Sequence, residues 1–213
     1  MIDRSKETVK VYDKIADKYV KPFFRGFEGS ADKKYVMKFI SLLPKNAKIL
    51  DVGCGPGQDT ENLMKLGFNV EGIDLSKKMI EIAKKKFKCK FRIMDIRKLK
   101  YKENTFDALF ANYSLIHIPR SEVLKTLKGF NKILKPDGLL YLTLQEGKGE
   151  KFIIEPLNPK YKTFFKFFTL KEIKLLLKKA KFNVIYTAKR RSLEKKELSY
   201  NKLFIIAKKL IKC

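Results

Sequence analysis

Short apolar runs alternate with amphipathic segments of helical length through the middle of the chain. Helices are predicted after Gly57, after Ser76 and over about 120–134, where "LKPDG" supplies a helix stop. Runs of strand length are predicted at 47–53, 68–74, 89–95, 106–112 and 138–144. Strands that alternate with helices are typical of a parallel sheet covered by helices.

The carboxyl-terminal part predicts one more helix and two more strands. Thr169 and Glu172 form a capping-box pattern at the start of "LKEIKLLLKKA". Strands follow at 183–189 and 201–209, joined by a polar connection short enough for a hairpin-like return. We therefore predict an α/β fold of the Rossmann-like, doubly wound type, with a mostly parallel seven-stranded sheet whose last strand is antiparallel.

Two segments lie outside this alternation. Residues 1–44 read as two helices joined by the aromatic loop "VKPFFRGFEGS", and we interpret them as an N-terminal helical lid. Residues 148–168 lie between the fifth strand and a helix, and we interpret them as a lid over the substrate. The sequence contains no internal repeat and no low-complexity linker, so residues 1–213 are expected to form one domain.

The composition bounds the class of protein. Of the 213 residues 45% are hydrophobic and 12% aromatic, enough to bury a sizeable core. The stretch "MIDRSKETVK" is too polar for the hydrophobic region of a signal peptide, and no apolar run reaches the length of a membrane span. We expect a cytoplasmic protein without stable membrane insertion, either a monomer or a homodimer.

The net charge of +26 favours an anionic partner such as nucleic acid. The lysines are, however, spread over predicted helices such as "KEIKLLLKKAKF", where a solvated helix face is the preferred interpretation. Nucleic acid is therefore the second choice of partner. Cys54, Cys89 and Cys213 lack C-x-x-C spacing, which indicates reduced thiols and no metal site.

The most informative motif is a glycine-rich turn after the first predicted strand, "ILDVGCGPGQDT". Gly53, Gly55 and Gly57 read G-x-G-x-G, and because position 58 is Gln the dinucleotide fingerprint G-x-G-x-x-G is not met. Asp74 ends the second strand, where a carboxylate can accept hydrogen bonds from both hydroxyls of a ribose.

Further polar residues end the neighbouring strands. Asp51, Asp74, Asp95 and Asn112 lie at or near carboxyl ends that are expected to line one crevice of the sheet. Acids around a crevice repel phosphate and attract a cation. The turn is thus expected to serve a ligand that carries positive charge.

These motifs, in order, resemble the class I S-adenosylmethionine-dependent methyltransferases. The resemblance rests on "ILDVGCGPGQDT", "VEGIDLSKKMIEIAKKK", "MDIRKLKYKENTFDALFANYSLIHIP" and "LKGFNKILKPDGLLYLTLQEG", and it spans about residues 12–209. It is strongest to the small-molecule group that includes ubiquinone and menaquinone biosynthesis methyltransferases. It implies an enzyme that binds S-adenosylmethionine, methylates a small organic acceptor and releases S-adenosylhomocysteine.

The resemblance also implies roles for residues along the cofactor. Gly53, Gly55 and Gly57 would pass beneath the methionyl part, and Asp51 would order their turn. Asp74 would hold the ribose hydroxyls, with Leu75 beside it.

At the adenine, Met79 would pack on the ring, Asp95 would accept from the amino group, and the Ile96 backbone would donate to a ring nitrogen. Core packing for Met79 and a turn cap for Asp95 are the alternatives.

Asn112 and Ser114 would lie near the methionine carboxylate and the methyl group of the cofactor. The segment "VYDKIADKYV" resembles a family signature that implies that Tyr12 and Tyr19 close the cofactor site. These tyrosines are two helical turns apart, so anchoring an amphipathic helix in the core is the alternative.

His117 is the only histidine and is the candidate general base, with a packed structural role as the alternative. The acceptor is expected between Phe23–Phe27 and Tyr161–Phe168, above His117, with Lys162 and Lys166 pointing outward. Two other functions stay open: a tRNA wobble-uridine type RNA methyltransferase, which the charge favours, and a non-catalytic S-adenosylmethionine-binding protein.

Overall fold

The computed structural model describes residues 3–20, 25–155, 157–193 and 198–210. Its strands are β1 (Lys48–Val52), β2 (Asn69–Asp74), β3 (Lys90–Ile93), β4 (Phe106–Asn112), β5 (Leu134–Gln145), β6 (Glu150–Ile154), β7 (Lys162–Lys166), β8 (Phe182–Arg190) and β9 (Lys202–Lys209). Its helices are α1 (Arg4–Val20), α2 (Lys33–Ile40), α3 (Gln58–Lys65), α4 (Lys77–Lys86), α5 (Arg120–Ile133) and α6 (Leu170–Lys179). Gly26–Gly29 and Leu115–His117 form short 3₁₀ helices.

The central sheet has seven strands in the order β3-β2-β1-β4-β5-β9-β8. The pairs from β3 to β5 are parallel, and β9 runs antiparallel to both β5 and β8. The chain leaves β1 toward one edge and returns at β4 toward the other, so the crevice between their carboxyl ends is the switch point at which such sheets bind ligands. The predicted fold class is confirmed.

The sheet is buried on both faces. Phe110 of β4 stacks on Tyr141 of β5 with ring centroids 4.9 Å apart, and α2 covers this face with Phe39. Leu109 lies in a different apolar cluster, together with Phe130 of α5. A run of apolar residues without alternation, as in β4, is what a doubly covered parallel strand requires.

Residues 148–168 differ from a simple loop because β6 and β7 form an antiparallel hairpin in which Phe152 pairs with Phe164. Phe164, Phe165, Phe167 and Phe168 are all buried. The expectation that Lys166 points outward is wrong, since its Nζ is buried 2.9 Å from the Glu172 carboxylate; Lys162 is exposed. The role of residues 148–168 as a substrate lid stays a prediction.

Two local expectations have clear outcomes. Thr169 Oγ1 accepts from the Glu172 backbone N–H and caps α6, as the capping box predicts, but the Glu172 carboxylate binds Lys166 instead of completing the box. Strand β5 begins at Leu134, immediately after α5, and not at 138. The chain turns at Asp137, whose φ is +61°.

Candidate functional site

A cavity of about 130 Å³ lies at the carboxyl ends of β1, β2 and β4. Helix α1 covers it with Ser5, Thr8, Val9 and Tyr12. The predicted residues that line it are Tyr12, Gly53, Gly55, Asp74, Leu75 and Met79, and further along the chain Asp95, Ile96, Asn112, Ser114 and His117. The structure therefore brings most of the predicted site together. The side chain of Tyr19 lies outside the described residues.

Two glycines of the turn border the cavity for different reasons. Gly53 has φ +78°, and a Cβ there would lie 2.4 Å from the Ser114 Cβ. Gly55 has φ +53°, and nothing lies within 4 Å of where its Cβ would be. Gly53 thus permits close approach of the strand end after β4, whereas Gly55 leaves backbone open to a ligand.

Gly57 and Asp51 support the turn from behind and do not line the cavity. Gly57 has φ +90° at the N-cap of α3, and a Cβ there would meet the Phe91 ring at 2.8 Å. The buried Asp51 carboxylate accepts a 2.6 Å hydrogen bond from Thr60 Oγ1, which ties β1 to α3. The predicted ordering role of Asp51 is consistent with this bond.

Asp74 is held by the backbone on both sides of it. Its carboxylate accepts from the N–H of Gly55 at 2.9 Å and of Ser76 at 2.8 Å. A carboxylate has about four lone-pair sites, so these bonds leave capacity for ligand hydroxyls. Burial raises the pKa of Asp74 despite the backbone donors around it.

Two more carboxylates lie close to this turn. Burial and the neighbouring Asp59 raise the pKa of Asp51, and burial raises the pKa of Asp59. Asp59 accepts from the backbone N–H of Phe27 at 2.7 Å and from Asn112 Nδ2 at 2.9 Å. The acids make this end of the sheet favourable for a ligand with positive charge.

Several apolar side chains line the cavity. Leu75, Met79 and Ile96 lie there, and Met79 also packs against Ala16 and Val20 of α1. The core-packing alternative for Met79 is realised, and because Met79 also borders the cavity its contact with adenine stays a prediction. These side chains suit a flat apolar ring.

Asp95 borders the cavity and is also engaged by Arg97. Its Oδ1 accepts from the Arg97 backbone N–H at 2.9 Å, and its Oδ2 lies 2.7 Å from Arg97 Nη2. The turn-capping alternative is therefore realised, and the same carboxylate remains at the cavity wall.

Asn112 and Ser114 each present a buried oxygen that has no hydrogen-bond partner among the described residues. Asn112 donates Nδ2 to Asp59, which can only accept, so its unpartnered Oδ1 is an acceptor. Ser114 Oγ is likewise buried without a partner. Both side chains line the cavity, where a ligand can satisfy them.

His117 is bonded at both ring nitrogens. Its Nδ1 lies 2.8 Å from the Phe164 carbonyl oxygen, which only accepts, so Nδ1 carries the proton. Its Nε2 therefore accepts from the Tyr12 hydroxyl at 3.0 Å. Burial lowers the pKa of His117 to about 4, so the ring is neutral near pH 7.

Helix α1 is anchored by polar residues that sequence reasoning missed. Ser5 Oγ donates to the His117 carbonyl at 2.8 Å, and Thr8 Oγ1 accepts from the Phe164 N–H at 2.9 Å. Asp13 accepts from Ser76 Oγ, the N-cap of α4, at 2.6 Å. Only Asp13 had a signal, since it lies inside the "YDKIADKY" signature beside Tyr12.

The aromatic residues expected around the acceptor do not line this cavity where they are described, so the position of the acceptor stays a prediction. Phe27 is buried in the core against Phe110, and no residue of Tyr161–Phe168 lines the cavity. Phe23 and Phe24 lie outside the described residues. Tyr113 and Ile118, which were not predicted, line the cavity instead.

The described residues offer neither a metal-binding cluster nor a helix suited to a membrane. In the part of the chain that the structure describes, no group of three or more His, Cys, Asp and Glu side chains could hold a metal ion. Within the same ranges, none of the helices combines the length and the apolar composition needed to cross a membrane.

A sheet of this order, with a glycine turn and an acid-bordered cavity at its switch point, defines a class I methyltransferase fold. Residues 49–138 match the family model of a methyltransferase domain. The chain is 33% identical over 134 residues to phosphoethanolamine N-methyltransferase 3 of Arabidopsis thaliana, covering 59% of this chain and 27% of that protein. It is 32% identical over 142 residues to demethylmenaquinone methyltransferase of Staphylococcus saprophyticus, covering 63% of this chain and 58% of that protein.

A solved structure shares the fold over the whole chain. Magnesium protoporphyrin IX methyltransferase from Synechocystis PCC 6803, with bound S-adenosylmethionine, has a TM-score of 0.75 at 18% identity and covers 99% of both chains. Residues 49–138 thus carry a methyltransferase domain, and the matches support a class I S-adenosylmethionine-dependent methyltransferase. The predicted family, enzyme class and cofactor are confirmed.

Proposed function

We propose that this chain transfers a methyl group from S-adenosylmethionine to a small organic acceptor that carries an acidic hydroxyl, and releases S-adenosylhomocysteine. The observation that carries this proposal is the hydrogen bond between Tyr12 and His117 in the same cavity as the glycine turn and Asp74. A neutral imidazole and a phenol in series can receive a proton from a bound acceptor.

The residues present fit the cofactor. The open backbone at Gly55 suits its methionyl part, and Asp74 has free capacity for ribose hydroxyls. The unpartnered Asn112 Oδ1 is an acceptor suited to an ammonium group. The apolar side chains of Leu75 and Met79 suit the adenine.

When bound, the cofactor supplies an electrophilic methyl group on a sulfonium. The chain's own residues then hold the acceptor in line and take up its proton. In our proposal the acceptor hydroxyl gives its proton to the Tyr12 oxygen, while Tyr12 passes its own proton to Nε2 of His117. The Phe164 carbonyl fixes the ring orientation that makes Nε2 the acceptor.

The low pKa of His117 narrows the acceptor class. A base with a pKa of about 4 is unprotonated at neutral pH but removes a proton efficiently only from an acidic donor. A phenol or an enol meets this requirement better than an alcohol does. The lining includes apolar side chains such as Val9 and Ile118, and none of the described lining residues is Lys or Arg. A lining without a cationic side chain favours an acceptor that carries no phosphate near the group that reacts.

The experiment is a turnover assay with purified protein, in which S-adenosylhomocysteine is measured with phenols and enols, with phosphoethanolamine, with simple amines and with bulk tRNA. We expect turnover with the first group. Turnover with phosphoethanolamine or amines alone would reject the acceptor class. Methyl incorporation into tRNA that survives moderate salt would favour the RNA methyltransferase that the net charge of +26 suggests. Binding of S-adenosylmethionine without turnover on any arm would favour the non-catalytic alternative.

A further inference from the structure

Arg97 joins three separate elements beside the cavity. Its side chain is only 8% exposed. Nη2 lies 2.7 Å from Asp95 Oδ2 and 2.9 Å from Asp3 Oδ2, and Nη1 lies 2.7 Å from Glu122 Oε2. Asp3 precedes α1, Glu122 lies in the first turn of α5, and Asp95 borders the cavity. We call these four side chains the Arg97 clasp.

Within the clasp, Asp95 is the member that can reach a ligand. Both of its oxygens lie 3.0 Å from Arg97 Nε, and Oδ2 also accepts from Nη2, so the plane of the carboxylate is fixed against the planar guanidinium. The carboxylate keeps part of its acceptor capacity, and its side chain is 17% exposed.

Asp3 and Glu122 hold the opposite side of the guanidinium. Asp3 accepts from both terminal nitrogens, at 3.0 and 2.9 Å, so the fork cannot rotate without breaking several charge-assisted bonds at once. The interaction with Asp95 and the other two carboxylates raises the pKa of Arg97, which stays charged.

We propose that Arg97 is a positioning residue that makes the cofactor site selective for the amino group of adenine by fixing the Asp95 carboxylate. This inference rests on the proposed role of Asp95 toward the adenine. A fixed carboxylate accepts a hydrogen bond from an amino group and repels the carbonyl oxygen that replaces it in hypoxanthine. A carboxylate free to turn away discriminates less.

The test compares binding of S-adenosylhomocysteine with that of S-inosylhomocysteine, its deaminated analogue, by calorimetry. The variants are Arg97→Met, which removes the clasp, and Arg97→Lys, which keeps the charge but loses the fork. Lys208→Met is the matched control, because it also removes one positive charge but from an exposed pair with Asp137 outside the clasp. Thermal unfolding establishes that each variant is folded.

We expect the wild type to prefer the adenosyl ligand and Arg97→Met to lose about tenfold of that preference, the size of one charge-assisted hydrogen bond. Arg97→Lys should retain part of it. Lys208→Met should keep both the preference and the two affinities.

An unchanged preference in folded Arg97→Met would overturn the proposal and leave the clasp a purely structural feature. Tighter binding of S-adenosylhomocysteine by that variant would overturn it too, since Arg97 would then compete for Asp95. If the wild type binds both ligands equally, the role of Asp95 fails. If the wild type binds neither, the cofactor site itself fails.

Discussion

The hydroxyl of Tyr12 on α1 donates a hydrogen bond to Nε2 of His117, which lies 105 residues further along the chain. The rings meet edge to face with centroids 5.3 Å apart. A single pair of side chains thus connects helix α1 to the short 3₁₀ helix Leu115–His117 at the cavity. This hydrogen bond can transfer a proton, and it can also hold α1 over the cavity. The two roles have different kinetic consequences.

Replacing His117 by Gln should slow methyl transfer by about 10²–10⁴-fold while changing cofactor affinity little, because a proton acceptor is lost. Tyr12→Phe removes only the hydroxyl and should also act on kcat. Single-turnover rates and calorimetry with S-adenosylhomocysteine separate the two effects. A rise in the dissociation constant with unchanged kcat would mean that the pair only closes the site.

The stability of the protein should depend on pH through His117. Its pKa falls from 6.5 to about 4 on folding, so the unfolded chain binds a proton between these values and the native protein does not. The stabilisation is fully present above pH 6.5 and is lost as pH falls toward 4, by about 3 kcal/mol at most. Urea unfolding at pH 7, 6, 5 and 4 measures it. Buried carboxylates titrate as well, so His117→Gln serves as the reference. As the pH falls, the wild type should lose more unfolding free energy than this variant does.

Asp74 should be required for cofactor binding. Its replacement by Ala removes a carboxylate that accepts charge-assisted hydrogen bonds, so affinity for S-adenosylmethionine should fall at least about tenfold in calorimetry. Asp137→Asn is a control of equal charge change, because Asp137 is exposed and paired with Lys208. Equal affinities of wild type and Asp74→Ala would remove the ribose assignment.

Two glycines of one turn should respond differently to a methyl group. Gly57→Ala adds left-handed backbone strain and a 2.8 Å contact with the Phe91 ring, so it should cost about 2–4 kcal/mol of unfolding free energy. Gly55→Ala meets no atom within 4 Å and should cost about 1–2 kcal/mol from strain alone. Its methyl group enters the cavity, so it should weaken cofactor binding more than its stability loss suggests. Chemical denaturation paired with calorimetry checks both, and a larger stability loss at Gly55 would contradict the packing argument.

The central sheet was predictable because its signals are local. Periodicity and helix stops identify β1 to β5, β8 and β9, and strand-end residues such as Asp74 and Asn112 reach one crevice through topology alone. The hairpin β6–β7 carries no such signal. Lys166 can be buried only because Glu172 neutralises it, which is a tertiary contact.

The contacts of α1 and Arg97 could not be derived from spacing. Arg97 and Asp3 are 94 residues apart, and each alone has the appearance of a surface charge. His117 was found by its type and position, but its orientation depends on the Phe164 carbonyl in a hairpin that was not predicted as strands. The residue types identified the candidate site residues. Which of their groups remain free to react depends on how α1 and the β6–β7 hairpin pack against them.

Helix α1 is synthesised before every other described element, yet its polar partners lie far downstream. Asp13 bonds to a residue 63 positions away, Tyr12 to one 105 away and Thr8 to one 156 away. Closing such long loops costs entropy that only an assembled sheet can offset, so we expect these contacts to form late in folding. Helix α1, which covers the cavity, would then be synthesised first and docked last. A bulky fusion ahead of α1 would therefore act on the last step of folding.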